Sequence, residues 1–182
     1  MRNLVLVLGD QLDPQSAAFD GFDKARDCVW MAEVPEESEH VPSHKARIVL
    51  FLSAMRHFCQ GLRRRGIRVE YRRLDDPSNR GGFGPELVAA ADRLRPRRMI
   101  VVEPGEWRVR ESLLAAAAAA RVALEIRPDR HFLCSTDDFG AHAEGRRQLR
   151  MEPFYREMRR RSGVLMEAGR PVGGRWNYDR EN

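Results

Sequence analysis

Residues 4–8 read Leu-Val-Leu-Val-Leu and are followed at once by Gly9-Asp10-Gln11. Nothing else in the chain restricts its fold as much. A short, wholly apolar run bounded by a turn signal fits a strand buried on both faces, as in a parallel sheet. The glycine behind it allows a tight turn and close approach of a ligand. In open α/β sheets, ligands bind just past the carboxyl ends of the strands, so this turn is the first candidate for function.

The pattern then repeats. Residues 28–34 (Cys-Val-Trp-Met-Ala-Glu-Val) read as a second strand. Residues 44–65 read as a long helix, with Ile48, Phe51, Leu52, Met55, Phe58 and Leu62 near a 3.6 period. Gly66 stands where a left-handed C-cap belongs. Residues 68–73 form a third strand with Val69 and Tyr71 alternating, and 75–84 a polar loop. Pro85 suits the first turn of a helix that runs through Leu87, Ala91 and Leu94 and stops at Pro96. Residues 99–102 are a fourth strand, 106–120 an alanine-rich helix and 122–126 a fifth strand.

This β-α-β-α-β-α-β-α-β order predicts an α/β fold: a doubly wound, five-stranded parallel sheet covered on both faces, with right-handed crossovers. The expected α/β domain spans residues 1–130. Beyond Pro128 the pattern changes. Residues 130–149 read mostly as loop with short turns, and 151–165 as a basic amphipathic helix carrying Phe154, Tyr155 and Met158. Loop and basic helix, residues 131–168, are expected to pack on the domain, and 169–182 reads as the start of a linker.

A chain of 182 residues is long enough for one such domain with a substantial core. No apolar run is long enough to span a membrane. Residues 4–8 are too short for the core of a signal peptide and no small-residue cleavage site follows, so the reading is cytoplasmic. Cys28, Cys59 and Cys134 are far apart with no Cys-x-x-Cys pair, a pattern of buried reduced thiols that argues against a disulfide framework or a zinc or iron–sulfur site. The formal charge is +5, and residues 140–182 hold ten Arg against six acids. Such a segment could face nucleic acid. It could equally be a solvated helix face in a chain with 30 Arg and 2 Lys.

Three loops carry candidate chemistry. Gly9-Asp10-Gln11 could bond a polar heterocycle or cap the next segment. Glu33 and Val34 end the second strand, and Glu36, Glu37, Glu39, His40 and His44 follow. Pro35 and Pro42 break helical spacing there, which favours ligand contacts through Glu37 and His40, or a solvated loop, over a metal site. Glu103-Pro104-Gly105-Glu106-Trp107-Arg108 follows the fourth strand; Gly105 again permits close approach, and Trp107 could stack on a ring or sit in the core. Gly81-Gly82-Phe83-Gly84 lacks the Gly-Lys-Ser/Thr ending of a phosphate loop. No Ser-His-Asp or Cys-His-Asn set and no Gly-x-Ser-x-Gly elbow stands out, so no catalytic residue and no metal ligand is assigned.

Five segments in order resemble one family: Leu-Val-Leu-Gly-Asp-Gln-Leu at 6–12 with its leading strand, Ser-Ala-Met-Arg-His-Phe at 53–58, Glu-Pro-Gly-Glu-Trp-Arg-Val-Arg at 103–110, Phe-Tyr-Arg-Glu-Met-Arg-Arg at 154–160, and Pro-Val-Gly-Gly-Arg-Trp-Asn-Tyr-Asp-Arg-Glu-Asn at 171–182. The chain resembles, end to end, the N-terminal region of the iron–sulfur bacterial cryptochromes and photolyases, the deoxyribodipyrimidine photolyase-related proteins. The resemblance implies a Rossmann-like antenna domain holding 6,7-dimethyl-8-ribityllumazine. It also implies a helical C-terminal domain with FAD and a [4Fe–4S] cluster that repairs (6-4) photoproducts in DNA with light, or signals blue light. On this resemblance the chain stops in the interdomain linker, with the flavin domain and the cluster cysteines absent, and is not catalytic alone.

Carried over by position, the lumazine pocket uses Gly9, Asp10, Glu33, Val34, Glu37, His40, Ile48, Phe51 and Gly105. Two positions depart from the family's lumazine binders: His40 replaces a tyrosine, and Phe51 replaces a smaller aliphatic residue, which narrows the pocket. The expected partners are the FAD domain of the parent protein and, through it, DNA. The competing reading is a chromophore-free nucleic-acid or protein interaction module working through the basic C-terminal helix.

Overall fold

Five short strands pair in one all-parallel sheet: β1 (Asn3–Leu6), β2 (Cys28–Ala32), β3 (Val69–Arg72), β4 (Arg98–Val102) and β5 (Ala123–Arg127), in the order β3-β2-β1-β4-β5. This is the Rossmann-like, doubly wound arrangement expected from the strand–helix alternation. The structure is a computed structural model, and it describes residues 1–178. The last four residues of the expected linker, 179–182, lie outside the described residues.

The apolar run at 4–8 works as its composition demands. Successive side chains of a strand point to opposite faces. Leu4, Leu6 and Leu8 join Trp30, Met99 and Val101 on one face, under α3 (Phe83–Leu94) and α4 (Trp107–Ala120). Val7, Val29 and Met31 join Met55, Cys59 and Leu62 of α2 (Lys45–Arg64) on the other. Val5 packs there with Ile100 and Val102 on a 3-10 turn at Ala17–Phe19. Each fully buried leucine or valine contributes about 1.5–3 kcal/mol, so both faces are firmly attached. In α4 the buried Ala116 and Ala117 add little bulk, which lets the helix approach the sheet closely.

Three details differ from the sequence reading. The connection from β1 to β2 carries the 3-10 turn and no α-helix. A short helix, α1 (Pro35–Glu39), begins at the proline read as a helix breaker; at the first helical position its missing N–H is not needed. A further helix, α5 (Thr136–Ala143), occupies a stretch read as loop. Its start is a capping box: Ser135 Oγ accepts from the Asp138 amide at 3.1 Å, and Asp138 Oδ2 accepts from the Ser135 amide at 3.1 Å.

The chain divides into two compact units, the first ending at Asp129. The second holds α5, α6 (Met151–Ser162), a small hairpin of β6 (Met166–Glu167) and β7 (Arg170–Pro171), and a 3-10 turn at Val172–Gly174. Among the described residues no helix is long and apolar enough to cross a membrane.

Candidate functional site

Strands β1 and β4 are neighbours, but the chain leaves β1 toward β2 and β4 toward β5. Such a switch point opens a crevice at the carboxyl ends of the strands. A cleft of about 300 Å³ lies there. Its walls are Leu8, Gly9 and Asp10 after β1; Ala32, Glu33 and Val34 at the end of β2; Glu37 and Ser38 from α1; Ser43, Arg47, Ile48, Phe51, Leu52 and Met55 from α2 and its approach; and Phe83, Pro104, Gly105, Glu106 and Val109.

Gly9 is there because nothing larger fits. A Cβ at this position would stand 2.4 Å from Cε1 of Phe51 and 2.9 Å from Sδ of Met55. The missing side chain therefore brings α2 against the first turn. Gln11 pins that turn across the switch point: its Nε2 donates to the carbonyls of Val102 at 3.2 Å and Glu103 at 3.0 Å. Asp10 faces Gly105, where a Cβ would lie 3.7 Å from its Oδ2. Its outer edge is open to solvent, yet crowding within the cleft raises its carboxyl above the usual carboxylate range, with the Glu106 and Asp129 carboxylates adding to the effect.

Glu33 is fully buried and fully engaged. Its Oε1 accepts from Arg56 Nε and Tyr71 Oη, both at 2.6 Å, and its Oε2 from Arg56 Nη2 at 2.7 Å and the Leu74 amide at 2.9 Å. Burial pushes its carboxyl up, but these bonds outweigh burial and hold it below its ordinary range. The same burial, with the bond to Glu33, pushes the Tyr71 hydroxyl far up. Glu33 thus ties the ends of β2 and β3 to α2, and presents no free carboxylate to a ligand. Glu37 is partly committed as well. Arg108 donates to Glu37 Oε1 at 2.7 Å, Glu36 Oε1 at 3.2 Å and Glu106 Oε2 at 3.1 Å, which joins α1 to the start of α4.

Eight of the nine sequence-predicted site residues line this cleft: Gly9, Asp10, Glu33, Val34, Glu37, Ile48, Phe51 and Gly105. His40 does not. It caps the C-terminus of α1 with its side chain in solvent, while Ser38 and Ser43 on either side of it reach the cleft. Trp107 neither lines the cleft nor joins the core; it is 72 % exposed, with the Arg110 guanidinium 5.4 Å above its ring. Sequence reasoning missed Arg47, which supplies the cleft's basic side chain, and the apolar Leu52 and Met55. Leu52 and Met55 follow Ile48 and Phe51 at four-residue spacing on the same apolar stripe of the helix, while the resemblance named only Ile48 and Phe51 for the pocket.

The second unit has its own polar centre. The guanidinium groups of Arg156, Arg159 and Arg160 lie 5.6, 5.3 and 4.8 Å from the Trp176 ring. Arg159 is buried and donates to the carbonyls of Val164 and Leu165, and Arg161 pairs with Asp138. The basic face of α6 is therefore largely occupied within its own unit. The thiols of Cys28 and Cys59 are free and buried, and that of Cys134 is free and half-buried.

Comparison with known proteins finds two similarities. Residues 5–182 match the family described as deoxyribodipyrimidine photo-lyase-related protein. A (6-4) photolyase of Agrobacterium fabrum (strain C58 / ATCC 33970) is 51 % identical over 182 residues, all of this chain and 36 % of that relative.

Proposed function

This chain belongs to the deoxyribodipyrimidine photolyase-related family, and on that premise we propose that it is the light-harvesting part of a (6-4) photolyase or related cryptochrome. In this reading the cleft holds 6,7-dimethyl-8-ribityllumazine. The observation that carries it is the convergence of Gly9, Asp10, Glu37, Ile48, Phe51 and Gly105 on one crevice at the switch point. A volume of about 300 Å³ is at the small end of the range for small-molecule sites. Ile48, Leu52, Met55 and Val109 suit the faces of a flat ring system, and Asp10, Glu37, Ser38, Ser43 and Arg47 suit its polar edges and a polyol tail. These residues fit such a molecule, with Phe51 taking part of the room.

When bound, the lumazine would absorb near-ultraviolet to blue light and pass the excitation on. This chain's residues do no bond chemistry in that reading; they orient the ring and shield it from water. The receiving FAD, the [4Fe–4S] cluster and the contact with damaged DNA are assigned to the rest of the longer protein, and the location to the cytoplasm. The chromophore-free interaction module has less support, because Arg156, Arg159, Arg160 and Arg161 already have partners inside their unit.

A fluorescence titration of the 182-residue chain with the lumazine tests the proposal. Saturable binding is expected, tightened about tenfold in Phe51→Ile if the ring crowds the site and weakened in Arg47→Ala. A chain that binds no lumazine either as it stands or with Phe51→Ile would refute it.

A further inference from the structure

The sheet gathers a second set of residues at its opposite end. Arginine stands just ahead of four strands: Arg2 before β1, Arg26 before β2 with Asp27 between, Arg68 before β3 and Arg97 before β4. These positions are far apart in the chain. Parallel pairing of β1 with β2 and β4, and of β2 with β3, places all four strand starts along one edge. Together with Lys24 and Arg93 they line a concavity of about 470 Å³.

Little of this charge is neutralised. The carboxylate of Asp27 is buried and spends its oxygens on Arg2 and on the amides of Asn3 and Asp23, at 3.1 and 2.9 Å. Arg93 pairs with Glu70 at 2.7 Å. Lys24 donates to the carbonyl of Arg65 at 2.8 Å, which fixes it without cancelling its charge. The exposed guanidinium groups of Arg26, Arg68 and Arg97 have no side-chain hydrogen bond or ion pair among the described residues. Six side-chain cations against the two carboxylates of Asp27 and Glu70 leave a net side-chain charge of +4. A cleft lined by one sign of charge repels itself and focuses its field on an entering counter-ion.

We propose that this basin binds a compact polyphosphate: two or three linked phosphate groups, inorganic or forming the tail of a nucleotide. Guanidinium forks match phosphate oxygens bidentately, and three unpartnered forks enter from three different strand starts. A single phosphate, with at most about two negative charges, leaves half of the +4 unmatched, whereas three linked phosphates carry about four. Duplex DNA spreads its charges about 3.4 Å apart along each strand of a wide rod and would touch only the rim. The apolar lining is limited to Met1, Ala25 and Leu94, which offers a base no stacking platform, so the phosphates are the part recognised. This site is independent of the cleft at the other end of the sheet.

Calorimetric titration of the 182-residue chain at low salt, with sodium triphosphate, ATP, sulfate and a short duplex DNA as titrants, tests the assignment. One saturable triphosphate site is expected. Arg68→Gln and Arg97→Gln should each weaken it about tenfold, and the double variant about a hundredfold. Both side chains are exposed and unpartnered, so the variants should keep the parent's circular dichroism and its lumazine titration. ATP tighter than triphosphate would identify a nucleotide source, and equal affinity an inorganic one; both support the site. Triphosphate binding no tighter than sulfate, a double variant that binds unchanged, or a duplex that binds more tightly and is not displaced by triphosphate would each overturn it.

Discussion

The two units hold their folds by different means. In residues 1–129 an apolar interior lies on both faces of a parallel sheet. In residues 130–178 the buried residues among those described are His142 and Arg159, while Phe132, Leu133, Leu149 and Met151 are exposed. That unit is held by the 2.6 Å contact of His142 Nδ1 with Glu157, by Phe154 and Phe139 against the His142 ring at 4.9 and 6.3 Å, and by the arginines around Trp176. Apolar packing is non-directional and tolerates exchange between side chains of similar volume. A directional polar contact does not, because removing one partner leaves the other unpaired.

The largest effect is expected where the first unit departs from its own rule. Glu33→Ala removes the acceptor for Arg56, Tyr71 and the Leu74 amide and should cost about 3 kcal/mol, limited by the water that reaches the 39 % exposed Arg56 side chain. Urea denaturation measures it. A loss below about 1 kcal/mol would show that this cluster is dispensable beside the apolar core.

Arg159→Met should cost about 2 kcal/mol and stay local. Hydrogen exchange should show α6 and the β6–β7 hairpin losing protection while β1 and β4 keep theirs. Equal loss throughout would erase the contrast between the units. Gly9→Ala should cost about 1–2 kcal/mol, because its new methyl group meets Phe51 and Met55. Phe51→Ile in the same chain should recover most of that loss, and failure to recover it would mean the strain lies in the backbone.

The smallest effect is one of pH. Asp138, paired with Arg161 and bonded to Ser135, is held at about 2 against an ordinary 3.8. A carboxyl lowered in the folded state contributes stability that is fully present above pH 4 and lost as pH falls toward 2. Glu157 is lowered in the same sense, by His142 first. Acidification through that window should therefore loosen α5 and α6, and Asp138→Asn should flatten the response of α5, while Asp76 of the first unit, also held at about 2, titrates over the same range. Amide resonances of α5 and α6 followed from pH 5 to 2 measure the response, and an unchanged response in Asp138→Asn would contradict it.

Positions in the cleft were legible in the sequence, but the state of their side chains was not. The strand ends named the turns, and the family resemblance named Ile48 and Phe51 on the helix read over residues 44–65. That Glu33 is already bonded could not be read, because its partners Arg56, Tyr71 and Leu74 lie 23, 38 and 41 residues away. His40 illustrates the limit of a carried-over position, since a one-residue difference in direction at the end of a short helix puts a side chain in water. Helices α1 and α5 were missed because Pro35 signals a break in one context and a start in another, and because the Ser135–Asp138 box follows no apolar stripe.

The sequence by itself determined which segments are strands and which face each apolar side chain takes. Those are local consequences of a two-residue period and of backbone sterics. Only the tertiary structure decided the strand order, and with it everything that depends on bringing distant strand ends together: the cleft where β1, β2 and β4 finish, the carboxylate of Glu33 bound from three elements, and the arginines collected where β1, β2, β3 and β4 begin.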